Sequence, residues 1–213
     1  MNYFKFDKTL EKYSELAEKK ASEPFKIIDG ITEYNQTKVL NAFIKNRVSE
    51  MHLGTSTGYG YGDIGRDTLD RVFADCMGAE DAIVRHSFAS GTHTLTVALF
   101  GILRPGDRVL MLTGRPYDTI IGVFGFEGHT DGSLADFGVE YNQIDLRTDG
   151  TPDIDAIRAE LSNKSYKMAY IQRSRGYSLR PSLTVDKVEQ LCRAVREVSP
   201  DTVIMVDNCY GEF

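Results

Sequence analysis

Strand-like and helix-like runs alternate from residue 83 to the end of the chain, and this alternation constrains the fold more than any other feature. Residues 83–88, 108–112, 139–144, 168–172 and 203–206 have the length and the apolar or β-branched content of strands. Between them, Leu95, Ala98, Leu99 and Ile102 share one helix face. So do Ile154, Ile157 and Leu161, after a start at Thr151-Pro152-Asp153 with proline in the first helical position. So do Val185, Val188, Leu191, Cys192 and Val195, over residues 185–198. Repeated strand–helix–strand units predict an α/β protein: a mostly parallel sheet covered by helices on both faces, a three-layer αβα arrangement. Residues 125–138 are glycine-rich and read as an exposed excursion.

The first of these units carries a turn of small residues, Ala89-Ser90-Gly91-Thr92-His93. Strand, tight turn and helix together make a place for a phosphate. The free N–H groups of the first helical turn point at the anion, and the helix dipole favours its charge. Gly91 lets the backbone come close, and Ser90 and Thr92 add hydroxyl donors. A helix merely capped by Ser90 would read the same way, so the turn alone leaves both readings open.

Two helices are expected ahead of this region. Asp7 caps the first, with Leu10, Tyr13 and Leu16 or Ala17 on one face. The second covers 33–48, with Val39, Leu40, Phe43 and Ile44 inward, and Pro24 and Gly30 separate the two. Such helices need a surface supplied later in the chain or by a second subunit, so they are expected to expose apolar residues. A loop over 54–66 follows, holding Tyr59, Tyr61, Asp63 and Arg66 among its glycines. Next comes a helix with Leu69, Val72, Phe73, Cys76 and Met77 on one face, ended by Gly78.

The net charge of −6, with no basic run, argues against a nucleic-acid surface. No run is long and apolar enough to span a membrane, and the first residues lack a signal core. Cys76, Cys192 and Cys209 are far apart and odd in number, which suits reduced thiols in the cytoplasm. The four histidines show no metal-ligand spacing, so no metal site is expected.

The last strand ends in Asp207, at the edge where open α/β sheets bind ligands. A phosphate turn, the loop aromatic Tyr117 and this carboxylate together suit pyridoxal phosphate. The phosphate would sit on the helix end, the aromatic ring on the pyridine, and the aspartate beside the ring nitrogen, which it keeps protonated.

These residues fall in longer motifs. They are 58-GYGYGDIGRD-67, 90-SGTH-93, 103-LRPGD-107, 116-PYDT-119, 172-QRSRGY-177 and 206-VDNCYGE-212. In this order and spacing the chain resembles the fold-type-I pyridoxal-phosphate enzymes of cysteine and methionine metabolism. It looks most like their methionine gamma-lyase family, the branch also called aluminium resistance protein. The resemblance implies a carbon–sulfur lyase acting on a small sulfur amino acid, assembled as a homodimer or homotetramer. It implies that Ser90, Gly91 and Thr92 hold the cofactor phosphate, that Tyr117 stacks on its ring and that Asp207 pairs with its nitrogen. Tyr59 and Arg66 would lie in the segment that reaches a neighbouring subunit's cofactor, with Tyr61 as the alternative tyrosine. It also implies a division into N-terminal helices and an inter-subunit loop over 1–66, and a cofactor-binding large domain over 67–213.

Two departures stand out. Where cystathionine lyases carry a Thr-Asn-Pro stretch, this chain has Arg173-Ser174-Arg175-Gly176. Arg173, Arg175 and Arg180 suit a substrate carboxylate, and equally a solvated basic loop. The family's Schiff-base lysine and its C-terminal domain are expected beyond Phe213, because Lys164 and Lys167 match no lysine motif. On that reading the chain is the N-terminal half and is inactive by itself. An inert scaffold and a transaminase are the rival readings.

Overall fold

The structure, a computed structural model, describes residues 4–126 and 131–211. Two compact units divide it, Met1–His86 and Ser87–Phe213. The division at 66/67 expected from the sequence concerns roles. By packing, the helix after the glycine-rich loop groups with the N-terminal helix.

In the first unit, helix α1 spans Lys8–Lys45, and the Asp7 carboxylate caps it by accepting the Thr9 N–H at 2.8 Å. Pro24 and Gly30 do not interrupt it, contrary to the two-helix expectation. Proline in a helix interior costs about 3 kcal/mol, but it deletes only one rung of the ladder. Helix formers on both sides, among them Lys20, Ala21, Glu23 and Lys26, carry the helix across it. A 3-10 turn at Glu50–Leu53 leads through the glycine-rich segment to α2, Ile64–Met77. Arg66 therefore belongs to the first turn of α2, not to the loop. Asp63 caps that helix through the Arg66 N–H at 3.0 Å, and Gly78 ends it in the left-handed conformation.

The inward faces in this unit are narrower than expected. Ala42, Val72 and Cys76 form its core, with Val39 and Val48 packed against them. Leu40, Phe43 and Ile44 stay exposed, as do Leu10 and Tyr13. The short α2 can cover only the stretch of α1 beside it. The expected strand at 83–88 does not form. Asp70 takes the Val84 N–H at 2.7 Å and pairs with Arg85 at 2.6 Å, so a side chain uses the backbone group that a strand neighbour would.

The second unit holds the parallel sheet. Strands β1 (Arg108–Met111), β2 (Glu140–Gln143), β3 (Met168–Gln172) and β4 (Val203–Asp207) lie in the order β2-β1-β3-β4. Every pairing is parallel. Helices α3 (Gly91–Ile102), α4 (Asp118–Phe124), α5 (Ile154–Asn163) and α6 (Val185–Val198) cover it. Strand alternation sorts the core into two faces. Val109, Met111, Met168 and Tyr170 pack with Leu99 of α3 and with Ile120 and Phe124 of α4. Leu110, Leu112, Ala169 and Ile171 pack with Ile157 of α5 and Leu191 of α6. This is the three-layer arrangement. Asp153, not Pro152, borders α5, capping it through the Ala156 N–H at 3.1 Å. The excursion at 125–138 is partly anchored, since Leu134 is buried in the first face; its residues 127–130 lie outside the described ones. No described helix is long and apolar enough to cross a membrane.

Candidate active site

The sheet gathers the expected site at the C-terminal ends of its strands. Ser90, Gly91, Thr92, Tyr117, Arg175 and Asp207 are among the residues lining one hollow of about 720 Å³. Parallel strands put every βα loop of a layer at the same edge, so residues far apart in sequence converge there.

Gly91 opens α3 and Ser90 caps it. The Ser90 hydroxyl accepts the His93 N–H at 3.1 Å, and its carbonyl accepts the Thr94 N–H at 3.0 Å. Ser90 is thus a cap, and the N–H groups of Gly91 and Thr92 have no partner among the described residues, which leaves them available to an anion. The Thr92 hydroxyl donates to that of Thr119 at 2.8 Å, a residue of the 116–119 motif to which the sequence alone assigns no role of its own. A Cβ built on Gly91 would meet no atom within 4 Å. The fold therefore has no need of glycine here, and the open space suits a group that comes close to the backbone. Gly91→Ala should leave the melting temperature unchanged or slightly raised, because alanine favours a helix by up to about 1 kcal/mol over glycine. The same change should weaken pyridoxal phosphate binding about ten- to hundredfold, the worth of one charge-assisted hydrogen bond. A thermal melt and a fluorescence titration with the cofactor check the two halves separately.

Asp207 ends β4 and is 7% exposed. Its carboxylate accepts the Cys209 N–H at 3.1 Å and faces the Tyr170 hydroxyl at 3.4 Å. Burial, and then the charge of Asp207, push the Tyr170 phenol well above its ordinary range, so it stays a donor.

Tyr117 is fixed from three sides. Gln172 accepts its backbone N–H, its hydroxyl donates to that of Tyr177 at 3.2 Å, and Gly176 backs against its ring. A Cβ on Gly176 would lie 3.1 Å from Tyr117 Cδ2, and its φ of 57° already suits glycine. The hydrogen bond to Tyr177, then burial, push the Tyr117 phenol up to about 12. Gln172 was legible as the end of a strand and the first residue of the 172–177 motif, with no role of its own. It is buried, donates its backbone N–H to the Thr113 hydroxyl at 3.1 Å, and donates its side-chain amide to the Ser174 carbonyl at 3.1 Å. Its signal in the sequence is a polar residue closing an otherwise apolar strand at the ligand edge.

The arginines separate in role. Arg173 spends Nε on the Leu183 carbonyl at 3.1 Å and Nη1 on Asn208 Oδ1 and the Gly211 carbonyl, at 2.7 and 2.8 Å. It braces the loops, whereas the sequence had offered it as a substrate ligand. Tyr59 and Arg66 belong to the first unit. There Tyr59 and Tyr61 are exposed, and the Arg66 guanidinium lies over Gly60, 3.8 Å from Asp63.

A free helix N-terminus, an aromatic ring and a buried carboxylate around one hollow fit the phosphate, the pyridine face and the ring nitrogen of pyridoxal phosphate. The fold is similar to that of the pyridoxal-5'-phosphate-dependent protein YhfS of Escherichia coli. That likeness has a TM-score of 0.58 at 17% identity over 82% of this chain and 43% of the other, and is one of fold alone. More narrowly, the chain belongs to the methionine gamma-lyase family, whose pattern it matches over residues 10–213. It is 48% identical over 191 residues to the uncharacterised protein YnbB of Bacillus subtilis, covering 88% of this chain and 45% of that one. It is also similar to the solved structure of a carbon-sulfur lyase involved in aluminium resistance from Clostridium novyi. There the TM-score is 0.88 at 44% identity, over 97% of this chain and 49% of the other. The chain spans about half the length of these relatives.

Proposed function

We propose that the whole protein is a pyridoxal-phosphate-dependent carbon–sulfur lyase acting on a small sulfur amino acid. The observation that carries this reading is the pair of unpartnered N–H groups at Gly91 and Thr92 facing the same hollow as the buried Asp207. Gly91 and Thr92 hold the phosphate, helped by the α3 dipole and the Ser90 hydroxyl. Tyr117 lies on the ring, held there by Gln172 and Gly176. Asp207 keeps the ring nitrogen protonated. When bound, the cofactor would supply a sink for the negative charge left on substrate carbon when a proton is removed, before the thiol leaves with the electrons of the carbon–sulfur bond. The Tyr117 phenol remains protonated throughout the neutral range and can donate a hydrogen bond. The apolar residues exposed on α1 support a homodimer or homotetramer, with Tyr59 or Tyr61 and Arg66 serving a neighbouring copy.

No lysine is among the described residues that line the hollow. Lys164 and Lys167 precede β3, at the end of that strand away from Gln172, and Lys164 pairs with Glu160 at 3.2 Å. The amine needed for covalent attachment of the cofactor and for proton transfer therefore comes from elsewhere in the whole protein. Residues 1–213 alone, mixed with the cofactor, should release no thiol from methionine or cystathionine above the free-cofactor background. The whole protein should release thiol together with a 2-oxo acid. Transfer of the amino group with sulfur retained would replace the lyase reading by a transaminase, and no cofactor absorbance at all would leave a scaffold.

A further inference from the structure

We infer that Tyr170 is a positioning residue for Asp207: from the core side its phenol holds the carboxylate in its charged form, so that a proton shared with a bound pyridine nitrogen stays on the nitrogen. The inference rests on the reading of the hollow as a cofactor site, and its test separates the two.

Tyr170 lies in the middle of β3 and packs on the face covered by α3 and α4. In the register of β3 and β4 it stands opposite Met205, and Asp207 is two residues further along β4. Side chains alternate along a strand, so Tyr170 and Asp207 share that face as diagonal neighbours. A diagonal step is within reach of a long aromatic side chain. The Tyr170 hydroxyl comes 3.4 Å from Asp207 Oδ2. Its ring is held edge-on to Phe124, with centroids 6.1 Å apart, in the cluster that includes Leu99, Met111 and Ile120.

A phenylalanine would fill the same apolar space. The hydroxyl adds nothing to that packing, and burying it without a partner would cost free energy. Its partner among the described residues is the Asp207 carboxylate. Burial, and then the charge of Asp207, keep the phenol protonated through the neutral range, so it acts as a donor. At 3.4 Å the contact is longer than an ordinary O–H···O bond, and it acts more through the fixed direction of the O–H dipole than through bond strength. In a buried place such a dipole counts for more than it would in water. The other carboxylate oxygen accepts the Cys209 N–H at 3.1 Å. Both donors favour the charged form of the carboxylate. Each oxygen has a further lone pair, so Asp207 can still accept from the hollow that it lines. Tyr170 itself is 1% exposed and does not line the hollow. Because the second unit encloses it unaided, a chain packed over the hollow would not reach its hydroxyl.

A pyridine nitrogen beside Asp207 would share one proton with it. With the proton on nitrogen both partners are charged; with the proton on oxygen both are neutral. Removing the phenol makes the charged carboxylate costlier in its buried place, so the proton moves toward oxygen. The ring then loses the positive charge that makes it an electron sink.

The test uses the whole protein loaded with pyridoxal phosphate labelled at the ring nitrogen, and reads the nitrogen chemical shift at neutral pH. That shift reports how the proton divides between the two partners. The wild type should lie near the value of the protonated ring, and Asp207→Asn nearer that of the neutral ring. Tyr170→Phe should move the shift in the same direction by less, an about three- to tenfold change in how the proton divides. In the Asp207→Asn background Tyr170→Phe should add nothing, because no charge is left to hold; a merely structural loosening would act in both backgrounds. A second variant with para-aminophenylalanine at position 170 keeps the size and a weaker donor, and should lie between wild type and Tyr170→Phe. It decides the matter if Tyr170→Phe does not fold. The inference is overturned if Asp207→Asn moves the nitrogen shift and neither change at Tyr170 does, or if the change at Tyr170 is the same with and without the Asp207 charge. In both cases the cofactor reading stands. A shift that Asp207→Asn leaves unmoved would overturn the pairing of Asp207 with the ring nitrogen and this inference with it.

Discussion

Phe124→Ala should lower the stability of the second unit by about 3–5 kcal/mol, the usual cost of emptying a buried aromatic site. Phe124 is 1% exposed. Its ring meets Phe126, Tyr141 and Tyr170 in tilted or edge contacts, with centroids 5.5, 6.4 and 6.1 Å away. These contacts tie α4 to β2 and β3. Helix α4 has only seven residues, too few to hold a helix in water without tertiary packing. Tyr117 borders this helix at its N-terminus, so loosening α4 also loosens the ring assigned to the cofactor. Denaturant unfolding of Phe124→Ala should therefore show a clearly lowered midpoint. Cofactor binding should weaken under conditions where the variant is still folded. Phe124→Leu should recover much of the loss, since it refills most of the volume. A midpoint equal to wild type would mean that this contact does not hold α4.

Asp207→Asn should have the largest effect on chemistry with little effect on cofactor capture. A carboxylate within contact distance of a cationic acid raises that acid's pKa, so removing its charge lowers the pKa of the bound ring nitrogen, by about 1–3. If thiol elimination needs the protonated ring, turnover at neutral pH should fall by about ten- to a thousandfold. The phosphate contacts at Gly91 and Thr92 lie on α3 and are untouched, so the cofactor should still bind. Asparagine keeps the shape and can still accept the Cys209 N–H, which guards the local fold. The readout is the nitrogen chemical shift of ring-labelled pyridoxal phosphate titrated on wild type and variant. An unchanged titration would show that Asp207 does not face the ring nitrogen, whatever happens to turnover.

Much of this architecture is legible in the chain because its determinants are local. The short apolar runs at 168–172 and 203–206 and the spacing over 185–198 are properties of a few neighbouring residues, and β3, β4 and α6 appear there. The caps at Asp7 and Ser90 are equally local, since each side chain reaches an N–H only two or three residues on. Parallel topology then places Gly91, Tyr117 and Asp207 at one edge, so a site could be expected from three positions far apart in sequence. Residues 83–88 have the composition of a strand, yet a strand exists only where another backbone completes its hydrogen bonds; here Asp70 occupies the Val84 N–H instead. Pro24 weakens a helix locally, yet the helix-forming residues around it decide the outcome. The apolar residues of α1 have helical spacing, but which of them are covered depends on the short length of α2. Arg173, Arg175 and Arg180 look alike as letters. Only the folded loop, by bringing the Gly211, Gln172 and Ser174 carbonyls to Arg173 and Arg180, makes those two into braces and leaves the Arg175 guanidinium without a partner among the described residues. Periodicity and capping are written in the sequence, while partners, burial and hydrogen-bond satisfaction depend on which distant groups the fold brings within about 3 Å.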